Sequence, residues 1–174
     1  ITLTSRTLTE ITDIYGGRNL QIFTSGGEYA VLEANATAAT INTRAQTSNG
    51  SLYIAVQEAD GAVIFCDKNG KTLREYAYTF NEDSYASNDI TVLSSHLITA
   101  PIDSAFLTGT ASDDSNWLFT LNADGSASIL NKLRAQDINA FTSMTLATPF
   151  NVGTKMEAVE VVDEEAYFIV KRYD

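Results

Sequence analysis

Cysteine, histidine, proline, tryptophan and cations are all scarce here: the 174 residues carry one Cys, one His, two Pro, one Trp and 11 Lys plus Arg. Each scarcity excludes something. The lone Cys66 cannot close an internal disulfide, and its place at the end of the apolar stretch AVIFC reads as a small buried hydrophobe. No neighbouring His or Lys/Arg pair would activate its thiol. The lone His96 rules out a His-rich zinc site, and any Ser-His-Asp arrangement would have to use it without a Gly-x-Ser-x-Gly elbow nearby. No apolar run approaches the roughly 18 to 20 residues of a membrane-spanning helix, and no charged-then-apolar secretory signal opens the sequence. No membrane partner is expected. Glycine-rich phosphate loops are also missing, because Gly16-Gly17 and Gly26-Gly27 lack the helix and lysine that should follow.

The shortage of cations is the most informative absence. Against 22 Asp plus Glu it leaves a net charge of −11, which repels phosphate and argues against nucleic-acid binding that works by neutralising the backbone. An acidic surface remains compatible with DNA passing nearby without sticking.

What is present is apolar and turn-rich. A 44% hydrophobic and 10% aromatic content fills the core of one domain, so 1–174 reads as a single β-rich module. The first residue, Ile1, is not Met, which suggests a fragment of a longer polypeptide. The clearest local signal is Trp117 to Leu130 (WLFTLNADGSASIL), where an alternating strand meets Asp124-Gly125 and a second strand returns. A type I′ turn needs φ > 0 at both central positions, which Asp-Gly tolerates. Three other hairpins repeat the device. Ile22-Phe23 turns through Ser25-Gly26-Gly27 into Tyr29 to Leu32, Val63 to Cys66 through Asn69-Gly70 into Leu73 to Phe80, and Val159 to Val162 through Asp163-Glu164-Glu165 into Tyr167 to Val170. The last pair carries apolar residues on both faces, as strands covered on each side do.

Between the hairpins, Ile1 to Ile14 reads as a lead-in with a weak helical spacing. Short strands are expected at Thr40 to Arg44, Leu52 to Val56, Ile102 to Thr108 and around Asp137 to Leu146. Loops are expected at Asn81 to Asn88 and Gly109 to Asn116, and a turn at Glu58 to Gly61. Alternation puts Tyr76, Tyr78 and Phe80 on one face, expected to be buried. Asp89 is placed to cap a short helix carrying Ile90, Leu93 and Leu97, stopped by Pro101. Turns recurring roughly every 40 to 55 residues match blades of about four strands. The expected class is therefore all-β, a propeller-like arrangement of antiparallel hairpins, with a β-sandwich as the alternative and at most a short helix.

Candidate chemistry is sparse. Asp113-Asp114-Ser115-Asn116 and Asp124-Gly125-Ser126 offer oxygen atoms for calcium, but the first lacks EF-hand spacing and the second is explained by its turn. Asp163-Glu164-Glu165 could be read as a glycosidase pair, yet neighbours on a tight turn do not face each other across a cleft. The Asp-box hairpin of bacterial sialidases is not matched, since Trp117 precedes the turn. The sequons at Asn35 and Asn49 are read as chance. No catalytic, cofactor-binding or metal-ligating residue is assigned, no cofactor is expected, and the protein is not read as an enzyme.

Several stretches in order resemble one family. They are Leu20 to Tyr29 (LQIFTSGGEY), Arg44 to Ser51 (RAQTSNGS), Leu73 to Tyr85 (LREYAYTFNEDSY), Asp89 to Leu97 (DITVLSSHL), Asn122 to Ala140 (NADGSASILNKLRAQDINA) and Met156 to Arg172. The set is similar to the tail tubular protein B, or stabilisation, proteins that form the tail nozzle of short-tailed bacteriophages. Phe141 stands where that family usually has tryptophan. The resemblance implies a β-rich, propeller-like part of a structural nozzle subunit located in the virion tail and made in the host cytoplasm. Its implied partners are other copies of itself in a ring, usually a hexamer, the tail adaptor and portal proteins, and DNA conducted at ejection without specific binding. A carbohydrate- or receptor-binding propeller module, with Tyr53, Tyr76, Tyr78 and Tyr85 lining a sugar site, is the alternative, and a glycosidase the third reading.

Overall fold

Strands and tight turns alternate throughout the computed structural model, which describes residues 9–33, 37, 40–109, 116–146 and 153–172. Three four-stranded antiparallel sheets follow one another, each a meander in sequence order. The first holds β1 (Ile11–Gly16), β2 (Leu20–Thr24), β3 (Gly27–Val31) and β4 (Arg44–Thr47); the second holds β5 (Gln57–Ala59), β6 (Ala62–Cys66), β7 (Leu73–Thr79) and β8 (Ser84–Asp89). The third holds β9 (Pro101–Leu107), β10 (Asn116–Asn122), β11 (Ala127–Leu133) and β12 (Ile138–Met144), and a two-stranded hairpin follows, β13 (Lys155–Val162) with β14 (Glu165–Lys171). Among the described residues there is no α-helix, only 3-10 turns at Ser95–Leu97 and Arg134–Gln136, and no helix long and apolar enough to cross a membrane.

The core is layered between consecutive sheets. Phe23 and Ala30 of the first sheet meet Val63, Phe65, Tyr76 and Tyr85 of the second. On the other side of the second sheet, Ile64, Cys66 and Leu73 meet Leu118 and Leu130 of the third. Ala105, Leu121 and Ala127 then meet Met156 and Val159 of the hairpin. Because β6 is covered on both sides, its whole run AVIFC is buried, as expected for a strand inside a stack. A sandwich would have one such layer; here there are three. The all-β class expected from sequence is therefore observed, as blade-like meanders stacked face to face, while no closed ring or barrel is formed by the described elements.

Side chains on the first strand of each sheet tie it to the next. Asp13 Oδ2 on β1 accepts from Val56 N at 2.8 Å, Gln57 Nε2 on β5 donates to Ser104 O at 2.8 Å, and Asp103 Oδ2 on β9 accepts from Val159 N at 2.9 Å. By this pattern β13 is a first strand, so the last hairpin corresponds to the opening pair of a sheet. Its turn, Asp163-Glu164 with φ of 49° and 67°, matches the first turn of the second sheet, Asp60-Gly61 with φ of 51° and 75°. Among the described residues, these two are the turns with both central residues left-handed, the type I′ signature.

Asp124-Gly125 differs from that expectation. Only the glycine is left-handed, with φ of 91°. Asn122 N donates to Ser126 O at 2.8 Å and Gly125 N to Asn122 O at 2.9 Å, which makes a three-residue turn closed by a glycine bulge. The reason is tertiary: these middle turns are contact points. Ser51 N donates to Thr24 O, Lys68 N to Gly50 O, Ala100 N to Gly70 O, Ala123 N to Ala100 O and Met156 N to Gly125 O, at 2.8 to 3.3 Å. Backbone entering each sheet thus bonds to the middle turn of the sheet before it through Ser51, Ala100 and Met156, and to the middle turn of its own sheet through Gly50 and Ala100.

A Cβ on Gly125 would lie 2.8 Å from Lys155 Cα, whereas one on Gly61 would meet nothing within 4 Å. Both positions carry the left-handed penalty of roughly 1 kcal/mol. Gly61→Ala should therefore lose about that much in a thermal or urea melt, and Gly125→Ala about 1 kcal/mol or more beyond it, because backbone must shift. Equal losses at the two glycines would contradict the contact role.

Several expectations are corrected. The end of the supposed lead-in is strand β1, paired with β2. Residues 52 to 56 form no strand; pairing starts at Gln57. The fourth strand of the first sheet lies at Arg44–Thr47, not at Thr40 to Arg44. Polar Asn81 to Asn88 was expected to be a loop, but Ser84–Asp89 pairs with β7 as an edge strand, whose outer face tolerates polar side chains. Asp89 caps no α-helix: its carboxylate accepts from Thr91 N and Oγ1 at 2.7 and 2.8 Å, and a single 3-10 turn follows. The chain leaves β7 at Thr79, so Phe80 is 82% exposed while Tyr76 is buried. Nor is the last hairpin covered on both faces. Phe168 packs inward against Phe119, but Tyr167 and Ile169 are 55% and 66% exposed. Most of the loop expected at Gly109 to Asn116 lies outside the described residues.

Candidate functional site

A cleft of about 370 Å³ is lined by residues of the first and second sheets. Tyr15, Arg18 and Gln21 reach it from the first sheet, and Glu58, Tyr78 and Tyr85 from the second. Local geometry sets each. Gln21 shares a face of β2 with Phe23, so alternation points it between the sheets, where it is buried and its Oε1 has no hydrogen-bond partner. Tyr85 stacks on Tyr76 at 4.8 Å, its N–H donates to Gln46 Oε1 at 2.8 Å, and its hydroxyl donates to Asn19 Oδ1 at 3.1 Å. The Tyr78 hydroxyl donates to Asp83, and the Arg18 guanidinium lies 4.8 Å from the Tyr78 ring centre. Glu58 Oε1 accepts from Gly61 N at 2.9 Å.

Electrostatics keep the phenols protonated. The bond to Asp83 raises Tyr78 above its ordinary value. Burial raises Tyr85, opposed by Gln21 and Arg18. Burial and then Glu58 raise Tyr15. These hydroxyls therefore act as hydrogen-bonding groups and not as nucleophiles at neutral pH. The Arg134 guanidinium at the cleft margin is already engaged, with Nη1 donating to Asp60 O at 2.9 Å and Nε 3.3 Å from Glu75 Oε1.

The structure brings together only two of the four tyrosines of the sugar-site reading. Tyr78 and Tyr85 line the cleft, Tyr76 is buried beneath Tyr85, and Tyr53 stands alone at 83% exposure. Cys66 is buried and its thiol is pushed up to about 12, first by burial and then by Asp67; the space beside it, about 10 Å³, holds at most one water. His96 is exposed on its 3-10 turn. The Asp124 carboxylate accepts from Ser126 Oγ and N at 2.6 and 2.8 Å, and these bonds hold it below the ordinary range. Glu165 accepts from the Tyr167 hydroxyl at 2.7 Å on an exposed strand. Asn116 opens β10 and donates to Asp60 Oδ1 at 2.7 Å, while 113–115 lie outside the described residues. No cluster of three metal-ligating side chains occurs among the described residues.

Sequence reasoning missed Tyr15, Arg18, Gln21 and Glu58. The available signal was Gln21, a polar residue at a core-facing position of an apolar strand. Glu28 carries the same signal on β3. It is fully buried, accepts from Thr47 Oγ1 and from Asn49 N at 3.3 Å, and burial raises its carboxyl above the ordinary value against those bonds. A raised folded pKa means that the native state holds a proton which the unfolded chain releases, so the stability it confers is present at low pH and lost as pH rises through the folded value. Glu28→Gln should raise the urea midpoint at pH 8 with the gain vanishing near pH 4; a gain confined to pH 4 would contradict this.

No protein-family model matches the chain, and no curated protein matches it in sequence.

Proposed function

We propose that the chain is a non-enzymatic structural module of the tail nozzle of a short-tailed bacteriophage. The observation that carries this reading is the ordered resemblance running from Leu20 to Arg172. Its blocks include residues that make the contacts between sheets: Thr24, Ser51, Gly125 and Met156 belong to the backbone bonds described above. A sequence shared for structural reasons is expected to be shared at such points. The function is mechanical. Rigid stacked sheets present loops to neighbouring copies in a ring, hexameric in the full-length protein, beneath adaptor and portal proteins, and an acidic lumen lets DNA slide by denying it phosphate contacts.

Deletion of the gene from its phage tests the reading. Filled heads that leak DNA, or particles without the distal tail, are expected; intact infectious particles would overturn it. A second reading, a carbohydrate- or receptor-binding module, keeps one specific observation in its favour, the cleft flanked by Tyr78 and Tyr85.

A further inference from the structure

We propose that the cleft between the first two sheets binds an acidic saccharide, with the sugar carboxylate against Arg18 and ring hydroxyls on Gln21 and Glu58. This rests on the second reading above and is independent of the nozzle. Four observations carry it. The volume of about 370 Å³ falls within the roughly 300 to 1,000 Å³ of small-molecule sites. Arg18 is exposed and lies over the Tyr78 ring, and it has no carboxylate partner among the described residues. The other charged side chains near it are Glu58 across the cleft, Asp83 bound to Tyr78, and Arg134, which is held by Glu75.

Gln21 Oε1 is a buried acceptor left without a donor, which is unfavourable unless something supplies one. Ligand hydroxyls are donors, and the second oxygen of Glu58 can take another. Finally, Tyr15, Tyr78 and Tyr85 supply ring surface for the C–H face of a sugar. Charge selects the ligand further. One free cation beside one carboxylate suits a single negative charge, and a phosphate or polyanion would meet Glu58 and a chain of net charge −11.

The test titrates the full chain with glucuronate, glucose and acetate, following the backbone and tyrosine resonances by NMR. Glucuronate should perturb Tyr15, Tyr78 and Tyr85 and bind at least tenfold tighter than glucose or acetate. Arg18→Gln should weaken glucuronate at least tenfold and leave glucose within about twofold, as expected for loss of a charge-assisted bond. Arg18 is exposed, so this variant should melt as the parent does; the preference of the parent protein for glucuronate stands as a test on its own. Equal binding of glucose and glucuronate overturns the acidic specificity while leaving carbohydrate binding in place. Equal binding of acetate and glucuronate overturns the sugar and leaves a carboxylate site. No saturable shift with any of the three overturns the inference and leaves the receptor-binding form of the second reading in place.

Discussion

Phe23→Ala is expected to lower the unfolding free energy by about 3 to 5 kcal/mol, the usual cost of truncating a fully buried aromatic. Phe23 is wholly inaccessible to solvent, and its ring sits 5.3 Å from Phe65 and 5.4 Å from Tyr76, which in turn stacks on Tyr85. It is the first sheet's fully buried aromatic in the layer that joins it to the second, so its removal leaves a cavity bounded by rings that cannot collapse readily. Urea unfolding should show a lower midpoint with an unchanged slope. A loss below about 1 kcal/mol would mean the two sheets do not depend on this layer. A reduced slope would mean that the first sheet unfolds separately. Tyr76→Phe is the matching control. The Tyr76 hydroxyl is buried without a hydrogen-bond partner, so deleting it should be neutral or slightly stabilising.

The second large effect is an asymmetry between two partners of one ion pair. Lys132 on β11 is 1% exposed, and its Nζ lies 3.1 Å from Glu75 Oε1 on β7 and donates to Asn139 Oδ1 at 3.1 Å. Glu75 also has Arg134. Glu75→Ala therefore strands a buried ammonium with one neutral acceptor, which should cost about 3 to 5 kcal/mol. Lys132→Met keeps the aliphatic volume and leaves Glu75 paired with a guanidinium open to water, so it should cost about 1 kcal/mol or less. The two variants are compared by urea midpoint at neutral pH in low and moderate salt. Salt should change the difference little, because the pair is shielded from solvent. Equal costs, or a larger cost for Lys132→Met, would contradict the account.

Legibility in the sequence followed the range of the interactions. The hairpins at Ser25-Gly26 and Asn69-Gly70 are legible because turn residues and alternation act over a few positions. Asn81 to Asp83 form the expected turn, but Ser84 to Asn88 are strand, because an edge strand gains its partner from β7, not from its own apolar content. The burial expected of Phe80 fails because alternation does not say where a strand stops. The cleft was half legible. Tyr78 and Tyr85 stood out as aromatics, but Arg18 and Glu58 are ordinary polar residues until two sheets bring them together.

By itself, then, the sequence determined the all-β class, the absence of a disulfide framework or His-rich centre, and the turns that divide the chain into meanders, since composition and near-neighbour geometry decide these. Only the tertiary structure decided that the sheets stack with a core layer in each gap, that Asp124-Gly125 is a bulged turn bonded to the next sheet, and that the last hairpin matches the start of a sheet. Those outcomes depend on bonds such as Asp13 to Val56 and Asp103 to Val159, between residues 43 and 56 positions apart. Local patterns carry no information about such pairs, because the free energy that selects them comes from burying one sheet's face against another.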